Sequence, residues 1–410
     1  MQIVRIKTAE LSKNSQVRWC FLDYYRFMLG EVPRQIDPGL GSVSRPGLAP
    51  RPDALPHREL SLTEVLSHYS RVNAAVAVDV RKSIDAKYAL RERLGDDEAK
   101  AFAIWLDRET TPLMEQLLHE FPFVSRIVDC EGEKENRKDR ESGNGSADLP
   151  VLRGSYGMES LVPFSERHVL DTLGSASRID LVIDPIEGTT RASLNQEGAV
   201  AIIAGTLTGN IAPIPPEDSP ALYADRIVVS PRLMGKVFLD RSPHENVRAV
   251  MEEFRLTNPA DVRVVVMKRA RNQALIEELE KAGVTLDLID SGDLMPAIEA
   301  LTQNRPILSM GSGGKTEAVI AACAAKALGG VFEMRYVAKN GDPVEEFPGL
   351  LRLDDVISGS ASDYFVNFAS ITGVPELDLP VPEARGGSYI VSVATITSEN
   401  AGLITQRVIV

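Results

Sequence analysis

From residue 262 onwards the chain alternates short apolar runs with helical patterning, and that alternation leaves few folds open. Val262–Met267 reads as a strand, Asn272–Ala282 as a helix stopped at Gly283, and Thr285–Ile289 as a second strand. Pro296–Leu301 belongs to a helix and Ile307–Met310 to a third strand. That strand is expected to run into a glycine-rich turn, Gly311-Ser312-Gly313-Gly314, with a helix from Thr316. Strands separated by helices build βαβ units, and such units need a largely parallel sheet with helices on its faces.

The first half has a different texture. Pro33, Pro38, Pro46, Pro50, Pro52 and Pro56 punctuate residues 1–60. Proline removes a backbone donor and disfavours helix in the residue before it, so this stretch reads as an irregular arm. Ser61-Leu62-Thr63-Glu64 has the form of a capping box opening a long helix towards residue 94. The pattern breaks at Gly95-Asp96-Asp97 and resumes through Leu118. Ser125–Cys130 is a short β-like run leading into Glu131-Gly132-Glu133, and residues 137–150 form a polar, Gly/Ser-rich loop placed where a lid would be. Ile179–Ile183 is a buried-strand pattern that Pro185 is expected to end, while Ala199–Ala204 and Ile227–Ser230 are further strands.

Charge narrows the partners. With 45 Lys and Arg against 58 Asp and Glu, the net charge of −13 repels nucleic acid and anionic membrane at long range. The longest apolar runs, such as Ala318–Ala325, are too short to span a bilayer, and MQIVRIKTAELSKN contains no secretory apolar core. Cys20, Cys130 and Cys323 match no zinc spacing, and their odd number suits free thiols in a reducing compartment. The expected location is the cytoplasm. An acidic chain that handles a phosphorylated substrate must supply positive charge locally, and a bound divalent cation would do so.

Three acidic motifs stand where strands are expected to end. Glu131-x-Glu133 follows one strand, Asp184-Pro185-Ile186-Glu187-Gly188-Thr189 follows another, and Glu317 opens the helix after the glycine-rich segment. Carboxylates at strand ends point into the crevice where α/β folds bind ligands, and hard oxygen donors suit Mg²⁺ or Mn²⁺. Within six residues the Asp184 segment offers two carboxylates, a glycine that lets backbone approach a ligand, and a hydroxyl. By contrast, Gly314-Lys315-Thr316 only mimics a nucleotide-binding P-loop, because Ser309 stands where that motif needs glycine.

DPIEGT, with EGE upstream and GxGGxxE downstream, resembles the class II fructose-1,6-bisphosphatases, metal-dependent enzymes of the lithium-sensitive, inositol-phosphatase-like superfamily. The resemblance runs over about residues 70–410, from Ser70-Arg71-Val72-Asn73 to Leu351-Arg352-Leu353-Asp354-Asp355 and Thr372-Gly373. It implies an α+β, α/β chain folded as a layered αβαβα sandwich. Its parts would be an arm at 1–60, a metal-binding subdomain at 61–230 and a sugar-phosphate-binding subdomain at 231–410. It also implies a homodimer or homotetramer.

The resemblance implies metal ligands at Glu131, Asp184, Glu187 and Glu317. A fifth ligand, in a Gly-Asp-Lys-Asn-Ala-Ala-Asp motif absent here, is matched by Asp107, which lies 24 residues before Glu131. Thr189 matches the threonine that activates the attacking water. Glu135 replaces its aspartate partner, with Glu133 as the fallback base. For phosphate and sugar, Gly188, Thr190, Gly313 and Gly314 would cradle the phosphate. Tyr223, Lys268 and Arg271 match family contacts, the last two with one extra residue between them. Ser291 and Asp293 stand where the family has an Asp-Gly-Asp. The implied activity is Mg²⁺- or Mn²⁺-dependent hydrolysis of a sugar bisphosphate. The altered sugar positions raise the alternative of another substrate, such as a heptose or octose phosphate or sedoheptulose 1,7-bisphosphate. A regulatory homologue without catalysis is the third reading.

Overall fold

The structure is a computed structural model. It describes residues 62–89, 93–119, 125–130, 154–156, 179–207, 210–215, 219–347, 349–400 and 402–410. The arm at 1–60, Ser61 of the expected capping box, the loop at 137–150 and Glu131, Glu133 and Glu135 lie outside the described residues.

The described chain begins with helices α1 (Leu62–Tyr88) and α2 (Asp96–His119). Strands β1 (Ser125–Cys130), β2 (Gly154–Tyr156) and β3 (Ile179–Glu187) follow, then the short helix α3 (Thr189–Ser193) and β4 (Val200–Thr206). Next come β5 (Tyr223–Val229), α4 (Pro243–Phe254), β6 (Arg263–Met267), α5 (Gln273–Ala282) and β7 (Thr285–Ile289). Helix α6 (Leu294–Thr302), β8 (Ile307–Gly314), α7 (Lys315–Leu328) and β9 (Val331–Val337) complete the middle. The chain ends with β10 (Leu351–Arg352), β11 (Tyr364–Ser370), β12 (Glu383–Arg385), β13 (Ser388–Thr397) and β14 (Gly402–Ile409).

These strands make two sheets. The first runs β12-β13-β11-β4-β3-β1-β2, with β14 also paired to β13, and the second runs β10-β9-β5-β8-β6-β7. In the second, β6 is parallel to both β7 and β8, as the βαβ alternation requires, while β5 is antiparallel to β8 and β9. In the first, β1 and β3 are parallel, whereas β3, β4, β11 and β13 are successively antiparallel.

Three apolar cores stack the layers. α1 presents Val65, Tyr69, Val72, Val76, Val80 and Ile84 at helical spacing, all buried against the first sheet. α6 and α7 lie between the sheets, sharing one core with the inner faces of both. α4 and α5 cover the far face of the second sheet through Val247, Val250, Ile276 and Leu279. The order is helix, sheet, helix, sheet, helix, which is the expected αβαβα sandwich. α7 suits the centre because its run of alanines lets two sheets approach, and Gly329 stops it in the left-handed conformation. Each Val or Ile buried in these layers contributes about 1.5–3 kcal/mol. Ser70 and Asn73 have a structural job. Asn73 Nδ2 donates to the Asn367 side chain at 2.9 Å, and Asn367 donates to Ser70 Oγ and Thr395 Oγ1, both at 2.8 Å. This buried network ties α1 to β11 and β13.

Two expectations need correction. Pro185 does not end its strand: β3 continues to Glu187. Asp184 pairs with Ile202 and Glu187 with Val200, so β3 spends one residue more than β4 in this interval. Such a bulge tolerates a proline, which has no N–H to place in the ladder. Likewise Gly311–Gly314 is no turn. It is the end of β8, antiparallel to Tyr223–Arg226, because glycines let neighbouring side chains lie flush on the strand. Among the described residues no helix is long and apolar enough to cross a membrane.

Candidate active site

The bulge in β3 builds the centre of the site. Asp184 Oδ1 accepts a hydrogen bond from the Ile186 N–H at 3.0 Å, closing a local turn around Pro185. Gly188 then adopts φ 82°, which a side chain would resist, and starts α3 at Thr189. The Thr189 hydroxyl shares its proton between Asp107 Oδ1 of α2, at 3.0 Å, and the Ile186 carbonyl, at 2.9 Å. The candidate Asp107 is therefore brought to Thr189. Asp184 and Glu187 are both 3% exposed. Glu187 Oε1 accepts from the Leu294 N–H at 3.0 Å, which joins β3 to the start of α6.

The second sheet supplies the opposite wall. Glu317 lies in the first turn of α7 and packs onto Gly314, where a Cβ would sit 2.0 Å from its Oε2. A Cβ on Gly313 would meet Asp293 Oδ2 at 2.0 Å. Asp293, immediately before α6, is paired with Arg226 at 2.8 Å. The Arg271 guanidinium stacks over the Tyr223 ring, 4.0 Å from its centroid, and its Nε donates to Ser312 Oγ at 3.0 Å. Burial pushes the Arg271 pKa below its usual range, against the attraction of Tyr223, Asp293 and Glu317, so these four side chains share one electrostatic neighbourhood. Lys268 lies just beyond β6 and is exposed, and Thr190 is exposed at the start of α3. Ser291 Oγ is buried with no hydrogen-bond partner among the described residues.

Three contributors escaped the sequence reading. Arg226 is 2% exposed. The sequence carried little signal for it, because the expected strand began at Ile227 and only the structure extends it back to Tyr223, which places the charge mid-strand where it needs a partner. Arg191 donates from Nε to the Ser291 carbonyl at 2.8 Å and packs beside Gly188, Gly198 and Gly292, bolting α3 to the Ser291–Gly292 turn. Asp129 gathers the two residues that mimicked a P-loop. Thr316 Oγ1 donates to its Oδ2 at 2.8 Å, and Lys315 Nζ lies 3.6 Å from Oδ1 while donating to the Pro215 carbonyl at 2.8 Å. Lys315 is 4% exposed, so its ammonium serves the interior and not a nucleotide. The Asp129 network ties β1, on the first sheet, to the start of α7, two residues before Glu317.

Asp184, Glu187 and Glu317 are hard oxygen donors of the kind Mg²⁺ and Mn²⁺ accept. Among the described residues no group of three or more His, Cys, Asp or Glu is close enough to hold a metal ion, and the candidate Glu131 lies outside them. Cys130, the last residue of β1, stands opposite Ile183 in the parallel register, one residue before Asp184.

A sequence profile of the family described as bacterial fructose-1,6-bisphosphatase, glpX-encoded, matches residues 167–355. A protein of Acaryochloris marina (strain MBIC 11017), named D-fructose 1,6-bisphosphatase class 2/sedoheptulose 1,7-bisphosphatase 1, is 29% identical over 253 residues, covering 59% of this chain and 67% of that protein. A protein of Synechococcus sp. (strain JA-3-3Ab) with the corresponding name is 29% identical over 234 residues, 56% of this chain and 61% of its own length. Another, of Synechococcus sp. (strain RCC307), is 32% identical over 184 residues, 44% and 52% of the two chains. The matches thus span from about half to two thirds of these relatives.

Proposed function

We propose that this chain, which over residues 167–355 belongs to the bacterial, glpX-encoded (class II) fructose-1,6-bisphosphatase family, hydrolyses a phosphomonoester of a sugar bisphosphate. The observation that carries the reading is the Thr189 hydroxyl held on Asp107, next to the buried carboxylates of the β3 bulge. A hydroxyl whose proton is committed to a carboxylate keeps its lone pairs for a water molecule. Thr189 then orients that water towards a phosphoryl group, and Asp107 holds the threonine in place. Glu135, with Glu133 as fallback, is the proposed base.

Asp184, Glu187, Glu317, Glu131 and Asp107 would hold Mg²⁺ or Mn²⁺. Such a cation supplies a more acidic bound water and charge neutralisation at the phosphoryl oxygens. The backbone at Gly188, Thr190, Gly313 and Gly314 accepts the phosphate, and Arg271 and Lys268 attract its charge. Tyr223, Ser291 and Asp293 face the sugar. A homodimer or homotetramer in the cytoplasm is the proposed setting.

A second reading, a different sugar phosphate on the same chemistry, is favoured by Ser291. A neutral hydroxyl there, in place of the family's carboxylate, removes a charged acceptor from the sugar positions and so suits a differently arranged sugar. One assay addresses both readings. Purified protein with Mg²⁺ or Mn²⁺ is offered fructose 1,6-bisphosphate, sedoheptulose 1,7-bisphosphate and heptose and octose phosphates, and phosphate release is measured. Release from a bisphosphate, lost with EDTA and in Asp184→Asn, is expected. No release from any member of the panel sinks the phosphatase reading.

A further inference from the structure

We infer that Arg226 is a positioning residue of the sugar site: it holds the Asp293 carboxylate in the orientation that accepts a sugar hydroxyl. The inference rests on the sugar-phosphatase reading above. Arg226 sits in β5, inside the second sheet, and its side chain is 3% exposed against 13% for Asp293. Its guanidinium is engaged by Asp293 and the Gly314 carbonyl, so it acts through what it holds. Nη2 pairs with Asp293 Oδ2 at 2.8 Å, and Nη1 lies 3.4 Å from the Gly314 carbonyl.

The backbone is cut to fit this pair. A Cβ on Gly313 would lie 2.0 Å from Asp293 Oδ2 and 2.7 Å from Arg226 Nη1. One guanidinium thus joins three elements: β5, the end of β8 and the residue before α6. The next N–H along, that of Leu294, donates to Glu187 Oε1 at 3.0 Å, so Asp293 is fixed relative to the β3 carboxylates as well. Behind the pair is a cavity of about 10 Å³ lined by Arg226, Asp293, Met267 and Gly311, which is room for about one water.

Electrostatics favours this role over a purely structural one. A buried ion pair is weak support for stability, because well-packed apolar side chains often do as well. What the pair does provide is a carboxylate of fixed direction whose charge is balanced from behind. An unbalanced Asp293 would repel the phosphate of a bound substrate. A balanced one can accept a hydroxyl proton at the front, and the planar fork of arginine sets its angle where a lysine ammonium would not.

The test uses full-length protein and steady-state kinetics on the best substrate of the panel, with p-nitrophenyl phosphate as a phosphomonoester without a sugar. Arg226→Lys keeps the charge and loses the fork. Its KM for the sugar phosphate should rise about 10- to 100-fold with kcat changed far less, while its KM for p-nitrophenyl phosphate moves less than about threefold. Asp293→Asn should show the same split. Because Arg226 acts through Asp293, the double variant should be no worse than Asp293→Asn alone. Equal loss on both substrates, an unchanged sugar-phosphate KM, or multiplicative losses in the double variant would each overturn the assignment. Should Arg226→Lys fail to fold, an unchanged sugar-phosphate KM in Asp293→Asn overturns it alone. Wild-type protein that hydrolyses no sugar phosphate removes the parent reading and the positioning role together, an outcome distinct from the others.

Discussion

Thr189 and Asp107 are 82 residues apart in the chain and meet at 3.0 Å, where the first residue of a short helix touches the middle of a long one. The contact depends on the β3 bulge, which turns the chain after Glu187, and on α2 packing against α3. It puts a hydroxyl of fixed direction beside two buried carboxylates. Thr189→Ala should therefore lower kcat by about 10²–10⁴-fold, and Thr189→Ser, which keeps the hydroxyl, should lie within about tenfold of wild type. Asp107→Asn should fall between them. Phosphate release at saturating substrate and cation measures all three, and a wild-type rate in Thr189→Ala would falsify the water-orienting role.

Asp129 is held by Thr316 and Lys315 from the adjacent helical layer, and both Asp129 and Lys315 are nearly fully buried. Lys315→Met leaves a buried carboxylate without its nearest cation, so it should destabilise the fold by about 3–5 kcal/mol. Thr316→Val leaves Asp129 one donor short and should cost about 1–3 kcal/mol. Urea titrations followed by circular dichroism test the order of these two losses. A P-loop role for Lys315 predicts the opposite pattern, a stable variant without nucleotide binding.

Gly314 has no room for a methyl group: a Cβ would lie 2.0 Å from Glu317 Oε2. Because Glu317 is the obstacle, Gly314→Ala should displace that carboxylate. The half-saturating concentration of Mn²⁺ for activation should rise about tenfold or more, and Mn²⁺ binding followed by electron paramagnetic resonance should weaken in parallel. Unchanged binding would separate Glu317 from any metal site.

Cys323 sits in the middle of α7, between the sheets, and burial pushes its thiol pKa up to about 12. It should resist alkylation at pH 8 in folded protein and react on denaturation, as mass spectrometry of labelled peptides would show. The sign of its linkage follows. The folded state favours the neutral thiol, whereas the unfolded thiol ionises near its usual ~8.5. This contribution to stability is therefore complete below that range and is lost as pH rises towards about 12. Cys323→Ala should flatten the alkaline fall in stability.

The helices and strands were legible because local periodicity encodes them. Thr285–Ile289 emerges at the bounds read from the sequence, and Gly283 stops α5 as expected. The two misreadings concern proline and glycine, whose local meaning is to interrupt. Pro185 and Gly311–Gly314 are accommodated inside strands because the ladder bulges at one and side chains lie flush on the other. Neither fact is visible without the neighbouring strand. The candidate site was legible as residue types in order: a DPIEGT segment, a glycine-rich segment before Glu317, and scattered cations. Its internal wiring was not. Nothing local to Asp129 announces that Thr316, 187 residues later, donates to it.

Sequence by itself thus determined the chemistry available to the chain, since carboxylates, hydroxyls and guanidinium groups are what they are at any position, and it determined the elements that hold them. Only the tertiary structure decided the partners. Arg226 becomes a clamp for Asp293, Lys315 an interior cation and Asp107 the acceptor of the Thr189 hydroxyl through the order and register of two sheets packed around α6 and α7. Burial makes those pairings matter: in water each of these groups would be solvated and indifferent to the other, whereas inside the sandwich a polar group must find its partner or be costly to keep.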